Sequence, residues 1–152
     1  MSNIVKGVGK VNNFQESLKE LLEDNKISRL QLSKIIGVDY STINGYFNKN
    51  YYPQLDIAMK IAEYFNCSLD YLYGLSNNKK NENSNSLSFY DTLNHLINES
   101  KLSLRQVFKD MNVSIANYFR WRDGVIPKTS VLIDIAKYFN VGLDYLVGNK
   151  KD

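Results

Sequence analysis

The sequence has 152 residues, of which 43% are hydrophobic and 23% are charged, and its formal net charge is +3. This composition is typical of a soluble globular protein, and no apolar run approaches the roughly 18–20 residues that a membrane span needs. Residues 1–13 lack the apolar core of a signal peptide, and the single cysteine, Cys67, excludes an intramolecular disulfide. These features favour a cytoplasmic protein.

A stretch of fourteen residues occurs twice, at 61–74 and at 135–148, with ten identical positions. The two copies read IAEYFNCSLDYLYG and IAKYFNVGLDYLVG. An internal repeat of this kind indicates two structural units, and each half of the chain is just large enough to hold a core. The sequence therefore predicts a tandem pair of small domains.

In chain order, the first half begins with residues 1–12, which we interpret as a flexible arm. Apolar positions at helical spacing then predict five helices, over residues 13–25, 29–36, 40–48, 54–65 and 69–73. Ser28 and Asp39 are expected to cap the second and third helices, with Gly37 in the turn between them. Ile35 is expected to face inward from the second helix. Two short helices joined around a glycine predict a helix-turn-helix.

Asn and Ser dominate the next stretch, LSNNKKNENSNSLS, which predicts a flexible linker. The helical pattern then recurs, with Asn112 in place of Gly37, Ser114 in place of Asp39 and Trp121 in place of Tyr46. The predicted organisation is an arm at 1–12, a first domain at 13–75, a linker at 76–88, a second domain at 89–148 and a tail at 149–152.

The stretches ISRLQLSKIIGVDYSTINGYF and SLDYLYG resemble the Cro/repressor-type (XRE family) helix-turn-helix domains of phage repressors and bacterial regulators. The resemblance covers residues 13–74 strongly and residues 89–148 less well. It implies an all-α fold of two tandem five-helix, lambda-repressor-like domains. It also implies operator DNA as the partner, with the third helix in the major groove and the start of the second helix on phosphate.

Carried over by position, the resemblance assigns a first set of DNA-binding candidates. On the third helix Asn44 is expected to pair with adenine, while Gly45 departs from the family by removing a long polar reader. The first-half candidates are Ser28, Arg29, Tyr40, Ser41, Thr42, Asn44, Gly45, Asn48 and Lys49.

The second half offers a different set. Its DNA-binding candidates are Arg105, Ser114, Asn117, Arg120, Arg122 and Lys128, with Arg120 placed to contact guanine. Phe119 is expected to face outward if Tyr118 faces inward, and Phe119 and Trp121 are candidate interface residues. The second half is therefore open to two interpretations, a second DNA-binding domain or a protein interface.

Catalytic and metal-binding groups are not predicted. The sole histidine, His95, and the sole cysteine, Cys67, lie in different halves, so they form neither a zinc site nor a nucleophilic dyad. The carboxylates show no paired arrangement. We therefore expect a non-enzyme that uses no cofactor and no metal.

The sequence favours a sequence-specific, double-stranded DNA-binding transcriptional regulator, a repressor of phage or bacterial type, acting in the cytoplasm on the bacterial nucleoid as a homodimer. The alternative is a protein-binding inhibitor or adaptor, in which the second domain mediates dimerisation or partner binding. Residues 1–75 hold eight basic and eight acidic residues, a net charge of zero that suits the alternative. A basic DNA footprint would have to be local.

Overall fold

The computed structural model describes residues 13–49, 52–80 and 85–148. Over these ranges the protein is all-helical, with ten helices and no strand, which confirms the all-α part of the predicted fold class. The chain divides into two compact units at the bond between Lys80 and Asn81. The predicted arm at 1–12 and tail at 149–152 lie outside the described residues, and the predicted domain bounds stay a prediction.

The first unit contains five helices in the described ranges. They are α1 (Asn13–Asn25), α2 (Arg29–Ile36), α3 (Tyr40–Asn48), α4 (Leu55–Phe65) and α5 (Leu69–Leu72). The first three have the predicted bounds. The fourth begins one residue later than predicted, because Gln54 occupies the extended N-cap position, and the fifth ends one residue earlier.

Aromatic rings form the centre of the first unit. Phe14 of α1 is fully buried and its ring lies 5.3 Å from Tyr46 and 5.8 Å from Tyr73, between ring centroids. Edge-to-face contacts of this kind stabilise a core beyond the area that they bury. Cys67 is also buried, as expected for a small core residue.

One predicted inward position of α2 is wrong. Leu32 and Ile36 are buried, but Ile35 is 45% exposed. Residues 32 and 36 lie one helical turn apart and define the buried stripe, whereas residue 35 lies at its edge. An eight-residue helix buries only a narrow stripe, so the third apolar position reaches solvent.

The second unit also contains five described helices. They are α6 (Phe89–Ser100), α7 (Leu104–Met111), α8 (Ala116–Arg122), α9 (Thr129–Phe139) and α10 (Leu143–Val147). Helix α8 begins at Ala116, and Ile115 lies in the turn before it.

The glycines that end the repeated stretch are required by both backbone conformation and space. Gly74 and Gly148 have φ angles of 76° and 74°, in the left-handed region that favours glycine. A Cβ atom on Gly74 would lie 2.0 Å from Cβ of Asn13, and one on Gly148 would lie 2.2 Å from the carbonyl oxygen of Leu87. Each glycine therefore lets the end of its unit pack tightly against the segment that begins it.

Both ends of the predicted linker pack on their own units. In the first unit, the amide of Ser68 donates to the carbonyl of Lys79 at 2.7 Å, and Lys79 Nζ lies 3.6 Å from Asp24. In the second unit, the side-chain amide of Asn85 donates to the carbonyl of Tyr145 at 2.5 Å. These hydrogen bonds give residues on both sides of the unit boundary a defined place in the fold.

Candidate nucleic-acid interface

Helix α2 begins with a complete capping box. The Ser28 hydroxyl accepts from the Gln31 amide at 3.0 Å, and the Ser28 amide donates to Oε1 of Gln31 at 2.7 Å. This reciprocal pair fixes the first turn of the helix, whose other N–H groups point out from its end. In this capping bond the Ser28 hydroxyl oxygen is the acceptor. The hydroxyl proton of this exposed side chain can therefore still donate a hydrogen bond at the start of the helix.

The turn from α2 to α3 is built around Gly37, as predicted. Gly37 has a φ angle of 74°, and its amide donates to the carbonyl of Ser33 at 2.9 Å. A Cβ atom there would meet nothing within 4 Å, so glycine serves the left-handed conformation rather than space. Asp39 occupies the N-cap position of α3, as predicted, but its side chain makes no capping hydrogen bond.

Helix α3 presents one polar face to solvent. Ile43 and Tyr46 are buried toward the core, whereas Tyr40 is 46% exposed and Ser41 is exposed. Asn44 follows Tyr40 by one helical turn and is half-buried. These positions bring three of the predicted DNA-binding side chains onto the same side of α3.

Gly45 lies one helical turn after Ser41, on the same side of α3. It is buried between longer side chains, and its carbonyl accepts from the Lys49 amide at 2.9 Å within the helix. Gly45 therefore offers no side chain to a base, and its place on the groove-facing side stays a prediction.

The end of α3 adds further polar groups. Asn48 and Lys49 are exposed there, and Lys49 is the C-cap residue. Thr42, which was predicted to contact phosphate, is half-buried. The exposed ammonium of Lys49 is the group best placed among these for an ionic contact with phosphate.

Arg29 joins α2 to α3 through two contacts. Its Nη1 donates to Oδ1 of Asn44 at 3.1 Å, and its guanidinium carbon lies 3.9 Å from the ring centroid of Phe47. The carbonyl of Phe47 in turn accepts from the side-chain amide of Gln15 on α1 at 3.0 Å. The guanidinium therefore lies against α3. Sequence reasoning identified Arg29 and Asn44 separately and missed Phe47, although its position one turn after Asn44 was visible.

The second unit presents a face of different chemistry. Ile115 and Phe119 are 39% and 45% exposed, and Arg120 is exposed next to them. Arg122 lies 3.2 Å from the carboxylate of Asp123 and 5.3 Å from the ring of Phe119. One of the two arginines of α8 is thus paired with an acid, and the other is open to a ligand.

The remaining second-unit candidates lie near the ends of helices. Arg105, Ser114 and Lys128 are exposed and Asn117 is half-buried. Ser114 Oγ accepts from the Ala116 amide at 3.3 Å, but the N-cap residue of α8 is Ile115, so the prediction that Ser114 takes the capping position is wrong.

Tyr118 faces inward, as the outward position of Phe119 requires. Its hydroxyl donates to Oδ1 of Asn94 at 2.5 Å and accepts from the hydroxyl of Tyr90 at 3.0 Å. Burial, followed by the contact with Tyr90, raises the pKa of Tyr118. Sequence reasoning missed both partners, which tie α6 to α8.

Trp121 is a core residue, so its prediction as an interface residue is wrong. It is 5% exposed, and its ring centroid lies 5.5 Å from Phe89 and 5.6 Å from Phe108. A side chain enclosed by two rings of its own unit offers no surface to a partner. Of the two interface candidates, only Phe119 is accessible.

Residues 18–72 match the family model described as helix-turn-helix. The matched segment begins within α1 and runs to the last residue of α5, inside the first unit. The resemblance found in the sequence is confirmed for this unit, and a second helix-turn-helix domain stays a prediction.

Two similar proteins are HTH-type transcriptional regulators named as uncharacterized, one from Rickettsia prowazekii (strain Madrid E) and one from Rickettsia conorii (strain ATCC VR-613 / Malish 7). The chain is 35% identical to each over 60 residues, which make up 37% of its own length. It spans 65% of the first relative and 55% of the second, less than two thirds of either. No solved structure matches this chain.

None of the helices in the described residues is long and apolar enough to cross a membrane. No group of three His, Cys, Asp or Glu side chains in these ranges is arranged to hold a metal ion.

Proposed function

We propose that this protein is a transcriptional regulator that binds double-stranded DNA in a sequence-specific manner through the first unit. The observation that carries the proposal is the polar outer face of α3, packed on a capped α2 within the segment that matches the helix-turn-helix family. The regulators named among its relatives support the same function. We further propose that it acts as a repressor on the bacterial nucleoid, since a protein bound at an operator excludes other proteins from that site.

The arrangement fits a defined mode of binding. Helix α3 enters the major groove, where Ser41 and Asn44 meet base edges and Tyr40 contacts a thymine methyl group or a phosphate. The start of α2 at Ser28 and the ammonium of Lys49 hold phosphates on either side. Phosphate contacts fix the register of the helix, and the base contacts supply the sequence preference.

We propose that the second unit is a second helix-turn-helix domain. Its five helices follow the same order and have similar lengths, and Ser103 caps α7 as Ser28 caps α2. Asn112 has a φ angle of 57° where Gly37 has 74°, so the turn between the second and third helices has the same left-handed residue. These correspondences support a duplicated scaffold.

A specific observation favours a second role for that unit. Where α3 exposes Tyr40 and Ser41, the corresponding positions carry Ile115, 39% exposed, and Ala116. Exposed apolar residues next to Arg120 suit a protein interface as well as a DNA groove. We therefore keep as the alternative that the second unit forms a homodimer or binds a protein partner.

Salt dependence of DNA binding tests the main proposal. The full chain should bind duplex DNA with an affinity that falls steeply with salt, because each phosphate contact releases condensed counterions. Lys49→Ala should lower the slope of log affinity against log salt by about 0.9, the value for one phosphate contact. Fluorescence anisotropy of a labelled duplex over a salt series gives this slope.

Lys60→Ala is the matched control. Lys60 is an exposed lysine of α4, so this substitution removes the same charge at a site away from α3. Its slope should equal that of the unchanged protein. Binding without salt dependence, or an equal loss of slope in both variants, would contradict the proposed interface.

Arg120→Ala and Phe119→Ala separate the two roles of the second unit. If that unit binds DNA, Arg120→Ala weakens specific binding, while Lys137→Ala, another exposed cation of the unit, does not. If it mediates assembly, Phe119→Ala lowers the mass measured by sedimentation and leaves binding of a single half-site unchanged.

A further inference from the structure

The hydrogen bond between Arg29 and Asn44 fixes how the Asn44 amide is oriented. A guanidinium carries only donors, so the group facing it must be the amide oxygen, and the Nη1–Oδ1 distance is 3.1 Å. The Nδ2 amino group therefore points away from Arg29. Asn44 is half-buried, which limits the space in which its amide can turn.

The guanidinium is itself held in place. Its central carbon lies 3.9 Å from the ring centroid of Phe47, a close cation–π contact that holds the guanidinium against α3. Phe47 is half-buried, and the bond from Gln15 to its carbonyl ties that part of α3 to α1. Both members of the pair therefore have a defined geometry before any ligand arrives.

This geometry disfavours the contact that asparagine commonly makes. To pair with adenine, Asn44 would accept from the N6 amino group through Oδ1 and donate to N7 through Nδ2. Oδ1 already accepts from a cation, and a second donor at that oxygen would bring the partly positive N6 group close to the guanidinium. Guanine presents two acceptors, O6 and N7, in the same place.

We propose that Arg29 is a specificity-determining and positioning residue, which pairs with Asn44 to present an edge of hydrogen-bond donors that selects guanine over adenine. The inference rests on the proposed function, that α3 of the first unit binds the major groove. It replaces adenine, expected from the residue type of Asn44 alone, with guanine.

The second unit lacks this pair. Counted from the serine caps, Leu104 stands in place of Arg29, and Phe119 stands in place of Asn44. Its cation–π contact joins Phe119 to Arg122 on the same helix, with the cation 5.3 Å from the ring. The donor edge is therefore a property of the first unit alone.

Competition binding tests the proposal on the full chain. Bound duplexes are first selected from a random library, and Asn44→Ala then identifies the base pair that Asn44 faces. Duplexes that differ only there, with guanine or adenine, are compared for the unchanged protein and for Arg29→Ala, Arg29→Lys and Phe47→Leu. The unchanged protein should prefer guanine by roughly 5- to 150-fold, the range for one good base contact.

Arg29→Ala should lower the guanine-to-adenine ratio to one or below, because Oδ1 of Asn44 is then free to accept from N6 of adenine. Arg29→Lys keeps the charge but loses the planar fork, and Phe47→Leu keeps the apolar packing but loses the ring, so both should lower the ratio. Lys34→Ala is the matched control, because Lys34 is an exposed cation of the same helix, and it should weaken both duplexes equally.

A readout without DNA checks the pair itself. The side-chain amide resonances of Asn44, recorded by nuclear magnetic resonance, should shift in Arg29→Ala and stay in place in Lys34→Ala. Three outcomes would overturn the inference and leave the proposed function standing: Asn44 resonances that do not shift in Arg29→Ala, a preference of the unchanged protein for adenine, or a guanine-to-adenine ratio that Arg29→Ala leaves unchanged. A chain that shows no salt-dependent DNA binding would instead overturn the proposed function.

Discussion

Trp121 shows how one position keeps its role while its side chain changes. It occupies the place of Tyr46, which is 1% exposed, and it is itself 5% exposed. Each of these side chains meets an aromatic residue in the first turn of the first helix of its unit, Phe14 for Tyr46 and Phe89 for Trp121. A large ring at this position packs the third helix of the unit against the first helix. This packing fixes the orientation of the outer face of the third helix.

Replacing Trp121 with alanine should therefore destabilise the second unit. Removal of a buried tryptophan leaves a cavity and typically costs about 3–5 kcal/mol. Phe119→Ala is the control, because Phe119 is 45% exposed and its loss should change the free energy of unfolding by no more than about 0.5 kcal/mol. Urea denaturation followed by circular dichroism measures both. Equal stabilities of the two variants would contradict the core position of Trp121.

At the residue scale, the sequence predicted which helix faces are buried better than it predicted the burial of single residues such as Trp121 and Ile35. The correspondence with Tyr46 was a sufficient signal that Trp121 lies in the core, yet the size and amphipathic character of tryptophan favoured an interface. Ile35 was predicted inward by residue type, but the stripe that α2 buries is set by its angle to the rest of the unit. That angle depends on packing between helices, which no local pattern contains.

At the scale of elements, local chemistry decides where the helices begin. The side chains of Ser28, Ser68, Ser88 and Ser103 each accept a hydrogen bond from the first turn of the helix that follows. Such a bond satisfies an amide that the helix itself leaves without a partner. Helix α3 has Asp39 at its N-cap position but no bond of this kind, so the start of the helix is held by packing of its buried residues.

We expect the two caps to differ in their contribution to stability. Ser28→Ala removes the hydroxyl half of the capping box, while the backbone amide of residue 28 can still donate to Gln31, and it should lower the free energy of unfolding of the first unit by about 1 kcal/mol. Asp39→Ala removes no capping hydrogen bond, so its effect should be within about 0.5 kcal/mol. Urea titrations of the two variants compare them directly. A larger loss for Asp39→Ala would show that its carboxylate caps α3 in solution.

The bounds of α2 and α3 could be predicted because their caps and turn glycine are adjacent in sequence. The contacts that organise the candidate interface could not. Arg29 and Phe47 are separated by the whole of α2 and the turn, and their contact at 3.9 Å depends on how α3 crosses α2. The sequence thus identified the polar side chains of the interface, whereas the pairing that orients them required the structure.

At the scale of the whole molecule, the repeated stretch is the conserved part of two units that differ in their outer faces. The residues Leu69 and Leu143, which begin the last helix of each unit, are both fully buried. The differences lie upstream, where polar Asn44 in the first unit corresponds to Phe119 in the second. A scaffold held by the same core residues can therefore present two unlike surfaces.

The division into two compact units predicts that each loses its core separately. Phe14 and Phe89 are buried at matching positions of the two units, and the only tryptophan of the chain, Trp121, lies in the second. Its fluorescence therefore follows unfolding of the second unit alone. Phe14→Ala should lower the stability of the first unit by about 3–5 kcal/mol and leave the midpoint of the fluorescence transition unchanged.

Phe89→Ala is the matched variant, and it should move the fluorescence midpoint to lower urea concentration. Circular dichroism reports all helices, so with Phe14→Ala it should show an early transition that fluorescence does not follow, because two probes separate when two parts unfold independently. If Phe14→Ala moved the fluorescence midpoint as far as Phe89→Ala does, the units would unfold as one cooperative body. Loss of the first core would then also unfold the surface that carries Phe119.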